Sequence, residues 1–234
     1  MFRYITFLFL FFSFCQQAKG QFLNYSIKEG LPVAVLPFEL YNDFIVVSLV
    51  YENRLPLRFI LDTGATHTLL IHKEYADITG TKFERRIFIR GADRKQLIPA
   101  LVTESVELDI SKIVAKNQHI LVLEENLIAL DKYAGLPIDG ILGLDIFKKF
   151  IVKIDYITEK LIFYKPDHFK PQLDKYEVLD LNMNHDKLYL KSPIEIKKDS
   201  ITEGSLSFTS RMAYSPRRTD STICNRYRFA ICSI

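Results

Sequence analysis

An all-β fold is predicted for this 234-residue chain from its composition and from the way its apolar residues are spaced. Twelve Tyr and eighteen Phe stand against nine Gly and no Trp, a composition suited to pleated, half-buried surfaces. Between residues 31 and 166 the apolar residues fall in short β-branched or aromatic runs divided by turn signals, with very little that reads as helix. Such spacing argues for a sandwich or barrel rather than βαβ units.

The elements follow in order. Residues 33–40, 43–51 and 55–61 are the first strands, divided by Tyr41-Asn42 and by Glu52-Asn53-Arg54. A single helix is expected over 72–78. Residues 85–90 and 96–108 flank Gly91-Ala92-Asp93, which has the composition of a hairpin tip. Further strands are expected over 119–123, 151–156 and 161–164, the last two joined by a turn at Thr158-Glu159. Between them, Gly143 opens a short helix over 144–150.

Composition also excludes several classes. Apolar residues make up 48% of the chain and charged residues 25%, which rules out a wholly disordered chain, a collagen-like fibre and a disulfide-dense miniature. The net charge is +3, and no Lys/Arg stripe interleaves with aromatics, so no nucleic-acid partner is expected. Cysteine occurs only at Cys15, Cys224 and Cys232, too sparse for a disulfide framework. His67, His72, His119, His168 and His185 are dispersed, with no Cys/His/Glu cluster at ligand spacing. No metal site and no cofactor is expected, and no Ser or Cys sits in a nucleophile elbow.

Residues 1–20 are read as a secretory signal peptide. Arg3 supplies a positive start, residues 7–14 form an apolar run, and Ala18 and Gly20 are the small residues that precede a cleavage site before Gln21. The run is too short for a spanning helix. The mature chain is therefore expected to be exported, secreted or periplasmic, without a membrane span. Lipidation at Cys15 is the weaker alternative, because bulky Phe14 precedes it.

One stretch carries chemistry. An apolar strand runs through Leu61 straight into Asp62-Thr63-Gly64-Ala65-Thr66. A carboxylate at the end of a buried strand is costly unless it is used or hydrogen-bonded. Gly64 permits a tight turn that brings backbone N–H groups to the carboxylate, and Thr63 and Thr66 offer hydroxyl donors. About eighty residues later, Ile141-Leu142-Gly143 places two apolar residues before a glycine and a short helix.

Together these segments resemble the aspartic proteases, in particular the retropepsin-like branch, over residues 31–166. The resemblance implies a closed, mostly antiparallel β-barrel lobe with one or two short helices. It also implies that Asp62 is catalytic, that Thr63, Gly64, Ala65 and Thr66 form its loop, and that Ile141, Leu142 and Gly143 brace that loop from behind. The hairpin around Gly91 and Ala92 matches the family's flap in order and position. Metal-free hydrolysis of a peptide bond needs one group to activate water and another to protonate the carbonyl. Two close carboxylates do both, because they share a proton rather than ionise together.

One Asp-Thr-Gly supplies one carboxylate. The second is expected from Asp62 of another copy across a C2 homodimer axis, or from a second lobe. Asp139 reads as a turn residue and Asp145 as an early-helix charge, so neither is a partner. Residues 176–196 repeat the strand–turn–strand pattern of 38–51, yet Asp220-Ser221-Thr222 lacks the glycine and the preceding apolar strand. Residues 167–234 are accordingly expected to be either a linker with a truncated start of a second lobe or merely a linker and floppy tail, disordered toward the C-terminus. The expected function is an aspartic endopeptidase acting on polypeptide. The alternative is an inactive peptide-binding or structural β-domain of the same fold.

Overall fold

The computed structural model describes residues 24–91, 96–170, 181–184, 187–197, 200–207 and 229–231. Across these the fold is all-β and mostly antiparallel, with two short helices. In chain order the strands are β1 (Tyr25–Ile27), β2 (Val33–Pro37), β3 (Glu39–Tyr41), β4 (Phe44–Tyr51), β5 (Leu55–Leu61) and β6 (Leu69–Leu70). Helix α1 (Lys73–Thr79) follows, then β7 (Phe83–Arg90), β8 (Leu97–Thr103), β9 (Val106–Ile110), β10 (Ile113–Gln118) and β11 (Leu121–Leu123). Helix α2 (Leu130–Ala134) precedes β12 (Gly140–Leu142), β13 (Ile151–Asp155) and β14 (Lys160–Tyr164). The later strands are β15 (Leu181–Asn184), β16 (Lys187–Lys197), β17 (Ser200–Ser207) and β18 (Phe229–Ile231).

An 11-stranded sheet pairs in the order β1-β10-β9-β4-β5-β12-β6-β11-β8-β7, with β3 added on β4. Its tight hairpins lie where the sequence carries turn residues. Asn42 and Asp43 (φ 44° and 67°) join β3 to β4, and Glu52 and Asn53 (φ 51° and 54°) join β4 to β5. The first is a two-residue turn whose left-handed pair matches strand twist, whereas Tyr51 pairs with Leu55 across a three-residue loop. Helix α1 begins one residue later than the sequence suggests, because His72 is extended (φ −100°). It stops at Gly80, whose φ of 73° ends the helix in the left-handed conformation that glycine adopts without steric cost.

The central strands are buried on both faces. From β4 and β5, Val47, Leu49, Tyr51, Leu57, Phe59 and Leu61 point into the larger core, which also holds Phe150, Phe163, Leu142 and Leu144. Val46 and Ile60 point the other way, into a second core with Leu69, Ile71, Ile98, Ala100 and Leu123. This is the period-two alternation of a strand with apolar layers on either side. The strand that leads to Asp62 is thereby fixed from both sides, each large buried side chain contributing about 1.5–3 kcal/mol.

A smaller sheet, in the order β18-β13-β14-β2, closes over the larger core. The expected strand over 96–108 is two strands, β8 and β9, parted at Glu104 and Ser105. The expected helix over 144–150 is a single 3-10 turn, Leu144–Ile146. Strands β15, β16 and β17 form a separate three-stranded antiparallel sheet. Among the described residues, contacts cross the expected boundary after residue 166, and Leu181 packs against the larger core. Leu188 of β16 is buried in the larger core, and β18 pairs with β13 from Val152 to Ile154.

Candidate active site

Strand β12 lies between β5 and β6, parallel to the first and antiparallel to the second. Its register sets Gly140 opposite Phe59, Ile141 opposite Ile60 and Leu142 opposite Leu61. The ladder continues one step past β5, with the Asp62 N–H donating to the Leu142 carbonyl at 3.0 Å. The two sequence segments separated by about eighty residues are thus hydrogen-bonded neighbours. Glycine at 140 is required by space, because a Cβ there would lie 2.5 Å from the Leu69 carbonyl oxygen.

Past Asp62 the chain turns sharply. The Gly64 N–H donates to the Asp62 Oδ1 at 2.8 Å, and the Ala65 N–H donates to the Asp62 carbonyl at 3.2 Å. Gly64 is not among the glycines in the left-handed region, which among the described residues are Gly30, Gly80 and Gly135. Thr63 is buried, whereas Gly64, Ala65 and Thr66 are half-buried. Asp62 itself is half-buried, and burial pushes its carboxyl above the ordinary carboxylate value, with the Gly64 N–H pulling in the opposite direction. The loop therefore presents a carboxyl that burial shifts toward its neutral form.

The residues after Leu142 clamp the loop from behind. The Leu144 N–H donates to the Ala65 carbonyl at 2.8 Å, and the Gly143 N–H faces the Thr68 Oγ1 at 3.4 Å. A Cβ at Gly143 would sit 2.5 Å from the His67 carbonyl carbon and 2.6 Å from its oxygen. No larger residue lets the brace approach so closely. Ile141 and Leu142 thus pair with β5, and Gly143 lies against the loop.

Asp139 and Asp145 take structural positions. The Asp139 Oδ2 accepts the Arg58 N–H at 2.8 Å, tying the entry of β12 to β5. Asp145, expected as an early-helix charge, lies in the 3-10 turn and is only 4% exposed. Ile146, Phe147 and Phe150 are buried in the larger core and draw the turn inward. The Asp145 Oδ2 then accepts the Thr68 N–H at 3.2 Å and lies 3.7 Å from the His67 Nδ1. Thr68 is also met by the hydroxyl of fully buried Tyr25, at 3.4 Å. Sequence reasoning missed Thr68 and Tyr25, which carry no local signal. The Asp145 side chain was legible only as an acid set among Leu144, Ile146 and Phe147.

The hairpin of β7 and β8 occupies the end of the sheet, in register from Arg90 opposite Leu97. At its tip the Gly91 N–H donates to the Gln96 carbonyl at 3.2 Å. Ala92 lies outside the described residues. Among the described residues no group of three His, Cys, Asp or Glu side chains is placed to hold a metal ion. Nor, among them, is any helix long and apolar enough to cross a membrane.

The aspartyl protease family is matched by residues 47–146, a span that contains both the Asp62 loop and its brace. The retrovirus-related Pol polyprotein from transposon 412 of Drosophila melanogaster is 29% identical over 151 residues, which is 63% of this chain. The chain spans 11% of that polyprotein's length. A retropepsin-like aspartic protease from Rickettsia conorii aligns over 60% of this chain and 95% of its own, at 22% identity and a TM-score of 0.39. Basic 7S globulin from soybean aligns over 69% and 58%, at 10% identity and a TM-score of 0.42. The family match supports an aspartic protease reading, in general terms, for the segment that carries Asp62.

Proposed function

We propose that this chain is an aspartic endopeptidase in which Asp62 supplies one of two catalytic carboxylates. The observation that carries the reading is the half-buried Asp62 carboxyl, raised by burial and held on a loop that β12 and Gly143 brace. In a pair of such groups the ionised member takes a proton from water, and the oxygen of that water attacks the peptide carbonyl. The protonated member gives its proton to the carbonyl oxygen, and the tetrahedral adduct then collapses with proton transfer to the leaving nitrogen.

The second carboxylate is proposed to be Asp62 of another copy, related by a two-fold axis. An isologous contact pairs a residue with its own counterpart, and the sequence offers Asp-Thr-Gly once. A second lobe is the other source of such a group. Export follows from residues 1–20, with cleavage after Gly20, and mass spectrometry of the exported chain should find Gln21 at its start. Light scattering on the mature protein, with and without a statine-type transition-state mimic, tests the assembly. A dimer that tightens with the mimic is expected. A monomer that ignores the mimic contradicts the endopeptidase reading and favours the binding module.

A further inference from the structure

Three successive residues, from the last of the brace onward, each reach the Asp62 loop. The Gly143 N–H faces the Thr68 Oγ1, the Leu144 N–H meets the Ala65 carbonyl, and the Asp145 side chain accepts the Thr68 N–H. The first two bonds are donated by main-chain amides, which any residue at those positions would supply. The third comes from a side chain and depends on its identity. Between the anchors at Ala65 and Thr68 lie Thr66 and His67, and the His67 side chain is 41% exposed while its Nδ1 sits 3.7 Å from the Asp145 Oδ2. A carboxyl that is 4% exposed is costly to bury, and this one is set against the loop rather than among the core side chains of its own turn.

We propose that Asp145 is a positioning residue of the candidate active site: by accepting the Thr68 N–H and facing the His67 imidazole, its buried side chain fixes the far end of the loop that presents Asp62. The bond anchors the loop six residues beyond Asp62, where β6 begins. Thr68 is in turn held by the Tyr25 hydroxyl and, through its carbonyl, by the Leu121 N–H at 3.0 Å. Asp145 therefore joins the loop to a rigid part of the sheet. The kinetic consequence rests on the peptidase reading above, whereas the positional one does not.

Amide hydrogen exchange on the full mature chain, with Asp145→Leu, Asp145→Ser and Asp145→Asn, tests the assignment. In Asp145→Leu the Thr68 amide should exchange at least tenfold faster, while the amides of β13 and β14 change less than threefold. Asp145→Ser is too short to reach Thr68 and should behave alike, which keeps the test decisive if the leucine variant does not fold. Asp145→Asn retains an acceptor oxygen and should restore most of the protection. With an active enzyme, kcat should fall about tenfold in Asp145→Leu and Asp145→Ser with KM within twofold, and Asp145→Asn should recover in part. Unchanged Thr68 exchange, or a rise spread evenly over all strands, overturns the assignment. So does a change confined to KM. A wild-type chain with no peptidase activity overturns the peptidase reading alone, and the exchange pattern still decides the role of Asp145.

Discussion

Asp62 sits between two opposing effects, burial that favours its neutral form and the Gly64 N–H that favours its charge, and burial dominates. Its carboxyl is therefore raised in the folded state above the ordinary value of 3.8. The folded chain then binds more proton than the unfolded chain between the two values, so stability falls as pH rises through that window. Above the window the ionised carboxyl is a standing cost, and below pH 3.8 the cost is absent. Asp62→Asn should raise the thermal midpoint at neutral pH by a few degrees and leave it nearly unchanged at pH 3, which paired melting curves would check. Asp145 has the opposite sign. Removing its acceptor leaves the buried Thr68 N–H unpaired, at about 1–3 kcal/mol, so urea unfolding of Asp145→Leu should show a loss of that order. Asp139→Asn keeps an acceptor for the Arg58 N–H and should cost well under 1 kcal/mol by the same reasoning. The placement of Asp62 at the end of a buried strand was legible in the sequence because an apolar run leads straight into it. The burial of Asp145 was not, because the inward pull on its turn comes from Phe147 and Phe150 packing against strands distant in sequence.

At the scale of elements, β12 does most to shape the site, since it lies beside β5 and its following glycine touches the loop. Gly143→Ala tests this contact most directly. A Cβ 2.5 Å from the His67 carbonyl carbon must displace backbone, not a flexible side-chain end. Overpacking of this kind costs about 1–3 kcal/mol. Chemical denaturation of Gly143→Ala should show a loss at the upper end of that range, and a loss below about 0.5 kcal/mol would mean the brace is looser than described. The legible strands are those with steady apolar alternation bounded by turn residues, such as β5, whose limits match the expected 55–61. Strand β10 was not expected, because its pairing with β9 shifts register between Ala115 and Gln118 and polar residues interrupt its pattern. Helix α2 was not expected either, being five residues long and entered through Ala129 at φ 48° without a capping side chain. The break between β8 and β9 was hidden inside a continuous β-prone run that only the fold divides.

For the whole molecule, the main sheet carries the site with strands that all end before residue 124 except β12. The tail nevertheless reaches the larger core through Leu188 and the smaller sheet through β18 beside β13. A chain truncated near residue 171 should keep a cooperative transition, because both cores are otherwise complete, and should lose about 2–3 kcal/mol from the burial of Leu188. Loss of the cooperative transition would make the tail an integral part of the first lobe. The proposed two-fold pairing of Asp62 belongs to this scale as well, since the sequence carries Asp-Thr-Gly once.

An assay of Asp62→Asn beside the wild type, on dimer-competent protein at mildly acidic pH, decides whether the Asp62 carboxyl performs the proposed peptide hydrolysis. Asn preserves shape and an acceptor for the Gly64 N–H but cannot exchange a proton with water. The wild type should show an acidic or bell-shaped profile, and Asp62→Asn a fall of at least about a thousandfold, within the range that loss of an essential acid–base group produces, with the fold intact. Peptidase activity that survives the substitution, or that a chelator abolishes in the wild type, would contradict that role.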